Sequence, residues 1–201
     1  RIGVVRRLDK NWILVRAACR QYHGFDPDET ATPVEAGSKV GLTEMLHDGE
    51  VDAVLQFWPI VPEITERGPY EEVFPVSGIV QRLAETDNRV PVSTFLTSES
   101  FRDEHADTAR RFAAAYGDVV DRLVAEDALW DEIGEKLMSY DDPEIVAAVR
   151  EGWRAMVVRG WDDETIDGME QLFEHLRSVA GADALGVDRI PEGTFRPVDP
   201  I

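Results

Sequence analysis

Cysteine is almost missing from this chain: Cys19 is the one thiol in 201 residues, so no disulfide can close within it. Long apolar runs are missing as well. No stretch of 18 uninterrupted apolar residues occurs, so no membrane-spanning helix is expected. The four histidines, His23, His47, His105 and His175, share no ligand spacing, which disfavours a zinc site. The glycine-rich fingerprints of dinucleotide and Walker-type phosphate loops are absent, as are the GxSxG nucleophile elbow and the HExxH zinc helix. No cofactor is therefore expected.

Apolar residues make up 43% of the chain, enough to bury a core, and the 30% that are charged are mixed in sign. This composition excludes a disordered polymer, and the length admits one or two domains. The net charge of −19 repels polyanions, so nucleic acid is not an expected partner. The first 20 residues run the other way at +5, leaving −24 on the remainder. A local cationic spot on an acidic body suits a small anionic ligand; the plainer alternative is a basic surface helix. The chain starts at Arg1, directly on a strand-like run, and a processed or truncated start is the expectation.

Ile2 to Val5 reads as a buried strand. Residues 11–22 read as a helix with Ile13, Leu14, Ala17, Ala18 and Gln21 on one face, capped by Asp9 or Asn11 and ended by Gly24. Asp26-Pro27-Asp28 is a turn signal. Residues 31–36 read as a second strand. Ser38 caps a short helix with Leu42, Met45 and Leu46 on one side, and Asp48-Gly49 closes it. Val51 to Phe57 reads as a third strand, apolar on both faces as parallel strands are. The order is the βαβαβ signature of an α/β layer. Residues 71–76 and 90–97 are further strand candidates. Helices follow: a short one capped by Ser98 or Ser100, then 106–124, 127–138, 143–158 and 162–180. In the 106–124 helix Ala109, Phe112, Ala113, Tyr116, Val120 and Leu123 recur at three- and four-residue spacing. Phe112, Tyr116 and Val120 are expected to form an exposed apolar face. Residues 181–201, with Pro191, Pro197 and Pro200, read as an irregular tail.

Ligands of open parallel sheets sit outside the carboxyl edge of the strands. The first strand delivers Arg7, Asp9 and Asn11 there, together with the amides of a helix start. The third strand delivers Gln56, a two-way hydrogen bonder, and Trp58, a flat apolar wall. For Trp58 and Trp12, core packing is the competing reading. Trp130, Trp153 and Trp161 read as packing residues, and Cys19 as a small core residue. The acidic runs at Asp141-Asp142 and Asp162-Asp163-Glu164 read as helix starts.

The run GLTEMLHDGEVDAVLQFWP, ending at Pro59, resembles the type II periplasmic solute-binding proteins, in particular those serving sulfonate, nitrate and thiamine-precursor ABC importers. RIGVV followed by a polar loop and a helix ending in YHGFDPDE is similar to the opening of that family's second lobe. Val92 to Leu96, Ser98-x-Ser-Phe-x-x-Glu-His, Arg111-Phe-Ala-x-Ala-Tyr and the ending Ile190 to Phe195 are similar too. Members are longer and begin with the first part of lobe one. Their small loop after the first strand is here the bulky RRLDKNW. The resemblance implies an α/β fold of the periplasmic-binding-protein type, with residues 1–88 as the ligand-binding second lobe. Residues 89–201 would be the hinge return and helical part of the first lobe, with Ser93 and Thr94 at the hinge. It implies no catalysis but capture of a small molecule at Arg7, Asp9, Asn11, Gln56 and Trp58. The partners would be that ligand and an ABC transporter permease, and the location periplasmic or extracytoplasmic, with lipid anchoring through an upstream segment left open. The alternatives are an enzyme on the same scaffold, of decarboxylase or menaquinone-pathway type, and a regulatory ligand-sensing domain.

Overall fold

A computed structural model describes residues 1–91, 93–158, 160 and 162–195. Val92, Trp161, Pro197 and Pro200 lie outside the described residues. The chain divides into two compact units. The first comprises Arg1–Val90 and Glu164–Pro191, and the second is built mainly from Pro91–Asp163.

The first unit is α/β. Strands β1 (Ile2–Val4), β2 (Pro33–Glu35) and β3 (Ala53–Val54) form one parallel sheet in the order β2-β1-β3. Ile2 lies opposite Pro33 on one side and Ala53 on the other. The three expected strands therefore share a sheet, but β3 is two residues long rather than the seven of Val51 to Phe57. It pairs only with β1, itself three residues long, so the ladder has nowhere to continue.

Helix α1 (Lys10–His23) returns the chain from β1, and its start is set by chemistry legible in the sequence. The Asn11 amide donates to Asp9 Oδ1 (2.9 Å), and Gly24 ends the helix at φ 71°. Asp26 then caps the short α2 (Pro27–Thr30), with Pro27 in its first turn, so the expected turn is a helix start. Helix α3 (Lys39–His47) is capped by Ser38, whose Oγ accepts from the Gly41 amide (3.0 Å). α4 (Val61–Arg67) and α5 (Val76–Leu83) follow.

Strand alternation sends these helices to opposite faces. Ile2, Val4 and Leu55 pack with Trp12, Val15, Cys19 and Ile79, the α1/α5 face. Val34 and Val54 pack with Met45, Leu46, Val51 and Ile64, the α3/α4 face. Gly3 points to the second face. A Cβ there would sit 2.9 Å from Val54 Cγ1 and 3.1 Å from Leu42 Cδ2, so only glycine lets α3 lie this close. Trp12 is 1% exposed and is a core residue, whereas Gln21, expected on the buried face, is exposed.

Two strand expectations fail. Residues 71–75 are irregular and Val76 opens α5; Pro75 has no amide for a ladder and precedes a helix instead. Among the described residues of 90–97 none is in a strand. Pro91 lacks a donor, and apolar alternation alone cannot supply a pairing partner.

The second unit is helical. It contains α6 (Glu99–Glu104, capped by Ser98), α7 (Ala106–Ala125), α8 (Asp127–Ile133) and α9 (Pro143–Met156). The expected 127–138 helix changes to a π-helical turn at Gly134–Met138. Gly134 lies against Val146, where a Cβ would come within 2.6 Å of Cγ2. Asp142 caps α9, with Pro143 in its first turn as expected. The core gathers Trp130, Ile145, Val146 and Val149, with the Trp153 ring tilted at 58° to Trp130, 5.4 Å away. Val120 is buried at 5% exposure, not exposed; its neighbours Phe112 and Tyr116 are exposed.

The chain passes from the first unit to the second at Val90–Pro91. Helix α10 (Asp163–Ala180) and α11 (Ala182–Leu185) return to the first unit. Thr86 Oγ1 donates to Glu164 Oε1 (2.6 Å), and the Asn88 amide nitrogen to Thr165 Oγ1 (3.5 Å). Gly168 faces Ala84 and Thr86. The apolar period of α10 marks a buried face without naming the partner that covers it. The tail is accordingly not wholly irregular.

Candidate functional site at the carboxyl edge of the sheet

Because β2 and β3 flank β1 on opposite sides, the strand order reverses between β1 and β3. Such a switch point opens a crevice between the two outgoing loops at the carboxyl edge. The loop after β1 carries Arg7 and Asp9, and Asn11 stands in the first turn of α1; the loop after β3 carries Gln56 and Trp58. The five expected site residues are therefore in one unit, on the two loops that border the switch point and the first turn of α1.

Their partners are more specific than the sequence suggested. The Arg7 guanidinium donates to Asp28 Oδ2 (3.1 Å), and the Arg7 amide to Glu35 Oε1 (2.7 Å). Asp28 also accepts from Trp12 Nε1 (2.9 Å), which ties the cation to the core tryptophan. Asp9 spends a carboxylate oxygen on the Asn11 amide of α1. The cationic cradle is thus already lined by carboxylates of the chain itself. Gln56 Nε2 donates to the Lys39 carbonyl and to Thr43 Oγ1 (both 3.0 Å), while its Oε1 accepts from the Phe57 amide (2.9 Å). Gln56 therefore locks the β3 loop onto the first turn of α3. Trp58 and Asn11 are half-buried.

Sequence reasoning missed Lys39. It opens α3 at the same edge, and its Nζ lies 3.4 Å from the centroid of the Phe57 ring. The available signal was position: a lysine directly after the Ser38 cap must stand at the carboxyl edge. Glu35 was missed for the same reason, as the last residue of β2.

Behind the edge, a buried ion cluster stiffens the α1–α2 corner. Asp26 is 5% exposed and accepts from Arg16 Nε and NH2 (2.9 and 2.8 Å) and from Arg20 Nε (2.9 Å). The Arg16 hydrogen bonds hold its carboxyl at about 2, against an ordinary value of 3.8. Burial pushes the Cys19 thiol up, in keeping with a packing role.

An open depression of about 480 Å³ lies elsewhere, lined by Gln81, Arg82, Glu85, Asp87 and Glu164 among others. Tyr22, in the last turn of α1, donates to the Arg82 carbonyl (2.6 Å). Because α1 starts at the carboxyl edge and runs back along the sheet, this depression belongs to the opposite edge. Its walls are polar and mixed in charge, unlike the apolar clefts that enclose small molecules. Ser93 and Thr94, the expected hinge residues, are exposed and irregular and follow the passage at Val90–Pro91. Among the described residues, no helix is long and apolar enough to cross a membrane, and no group of acidic, histidine and cysteine side chains is arranged to hold a metal. No protein-family model and no curated protein matches the chain.

Proposed function

We propose that this chain is the solute-binding component of an ABC-type importer, a type II periplasmic-binding-protein relative working outside the cytoplasm. It captures a small anionic or polar organic molecule and passes it to a membrane permease. The observation that carries the reading is the switch point, with Arg7, Asp9 and, at the start of α1, Asn11 on one side and Gln56 and Trp58 on the other. Lys39 adds an ammonium over the Phe57 ring. Arg7 shares its charge with Asp28, so the ligand's anionic group competes with an internal carboxylate or approaches Lys39 instead. Trp58 stacks on an apolar or planar part of the ligand. An enzyme on the same scaffold needs an acid–base side chain at this edge, and the Asp9 carboxylate is engaged in capping α1.

Full-length protein is purified without denaturation, then denatured, and the released small molecules are identified by mass spectrometry. One anionic or polar organic compound is expected. Calorimetry with that compound should show Trp58→Ala binding roughly tenfold or more weakly, from an aromatic contact worth on the order of 1 kcal/mol beyond area burial. Wild-type affinity in Trp58→Ala removes that residue from the site. Chemical conversion of the compound by the protein overturns the importer reading in favour of an enzyme.

A further inference from the structure

Helix α7 carries an apolar stripe on its outer side. Phe112, Tyr116 and Val119 are 52%, 48% and 52% exposed, and Phe95 stands edge-on to both rings at 5.0 and 5.2 Å. Spacings of four, three and seven place these α7 residues on one side of the helix. Along one flank of the stripe run Asp107, Arg111, Asp118 and Arg122, all exposed. They are spaced four, seven and four residues apart, and their signs alternate from acid to base. This order is palindromic in spacing and inverted in charge.

We infer that α7 is a homodimerisation helix, on which a second copy of this chain docks antiparallel about a two-fold axis passing between Ala114 and Ala115. In antiparallel pairing about such an axis each flank meets its own copy. Asp107 then faces Arg122 of the second copy, and Arg111 faces Asp118 of the second copy, with both pairs repeated by symmetry. No like charges oppose each other on this flank. Asp118 has no ion-pair partner among the described residues, so the second copy's Arg111 supplies one. Arg111 already reaches Asp107 on its own helix (3.1 Å) and joins both acids into one network. Ala115, beside the axis, lets the backbones approach, while Phe112 meets Val119 of the second copy across it. The inference is independent of any transport role.

Sedimentation of the full chain across a concentration series tests it. Wild type should show a concentration-dependent dimer, and Phe112→Asp should be monomeric. Arg111→Asp alone places two acid pairs across the axis, and Asp118→Arg alone places two base pairs. Each should weaken the dimer on the order of tenfold or more. An equimolar mixture of the two single variants should recover association, because every facing pair is again opposite in sign. Circular dichroism of each single variant should match wild type, since both sites are exposed. A wild-type chain that stays monomeric at millimolar concentration overturns the inference. So does a dimer indifferent to the single reversals, or a mixture that fails to reassociate.

Discussion

Asp26 is the residue whose charge the fold can least spare. It accepts from two arginines on α1 while capping α2, and its side chain is 3% exposed. Asp26→Asn leaves Arg16, itself only 15% exposed, facing a neutral group. The expected loss is about 2–3 kcal/mol, at the lower end for a buried pair because Arg20 keeps access to water. Urea unfolding of the two proteins measures it. The same carboxyl dictates an acid response. Its folded value of about 2 lies below the ordinary 3.8, so it stabilises the native state fully above pH 4. That contribution, about 2 kcal/mol, is lost as pH falls from 4 toward 2. Asp26→Asn should therefore show a flatter fall in stability over that window than wild type.

Among the elements, α1 serves two purposes that one pair of substitutions separates. Asp9→Ala removes the cap and should cost about 1 kcal/mol in thermal unfolding with no ligand present. Asp9→Asn keeps an acceptor for the Asn11 amide and should retain most of that stability. If Asp9 also contacts the ligand through its charge, both variants bind more weakly although only one is destabilised. The elements also show what a sequence discloses. Caps at Asp9, Ser38, Ser98 and Asp142 and the Gly24 stop were legible, because each depends on neighbours in the chain, and the three core strands were legible in order though not in the length of β3. The failed strands at 71–76 and 90–97 were not, because pairing needs a partner that periodicity does not name. At the site, the loops were legible from strand order. The pairing of Arg7 with Asp28 and Glu35 was not, since it depends on how β2 aligns beside β1.

At the scale of the whole molecule, α10 belongs to the first unit although it comes after the second. Residues 1–90 alone lack α10, whose Gly168 packs against Ala84 and Thr86, and should unfold broadly at low temperature. Asn88 and Thr165 lie within 3.5 Å of each other, so a short glycine–serine linker can join residue 90 directly to 164. The joined protein should regain a cooperative transition by circular dichroism. Equal cooperativity of 1–90 by itself would return α10 to the role of a surface attachment.

The same discontinuity bears on the order of events during synthesis. The helical unit draws α6 to α9 from one continuous stretch, so all of these helices are complete once residue 163 has left the ribosome. The first unit, although its sheet is made first, waits for α10, whose Gly168 packs against Ala84 and Thr86. A growing chain stalled between residues 163 and 180 therefore holds every helix of the second unit and an unfinished first unit.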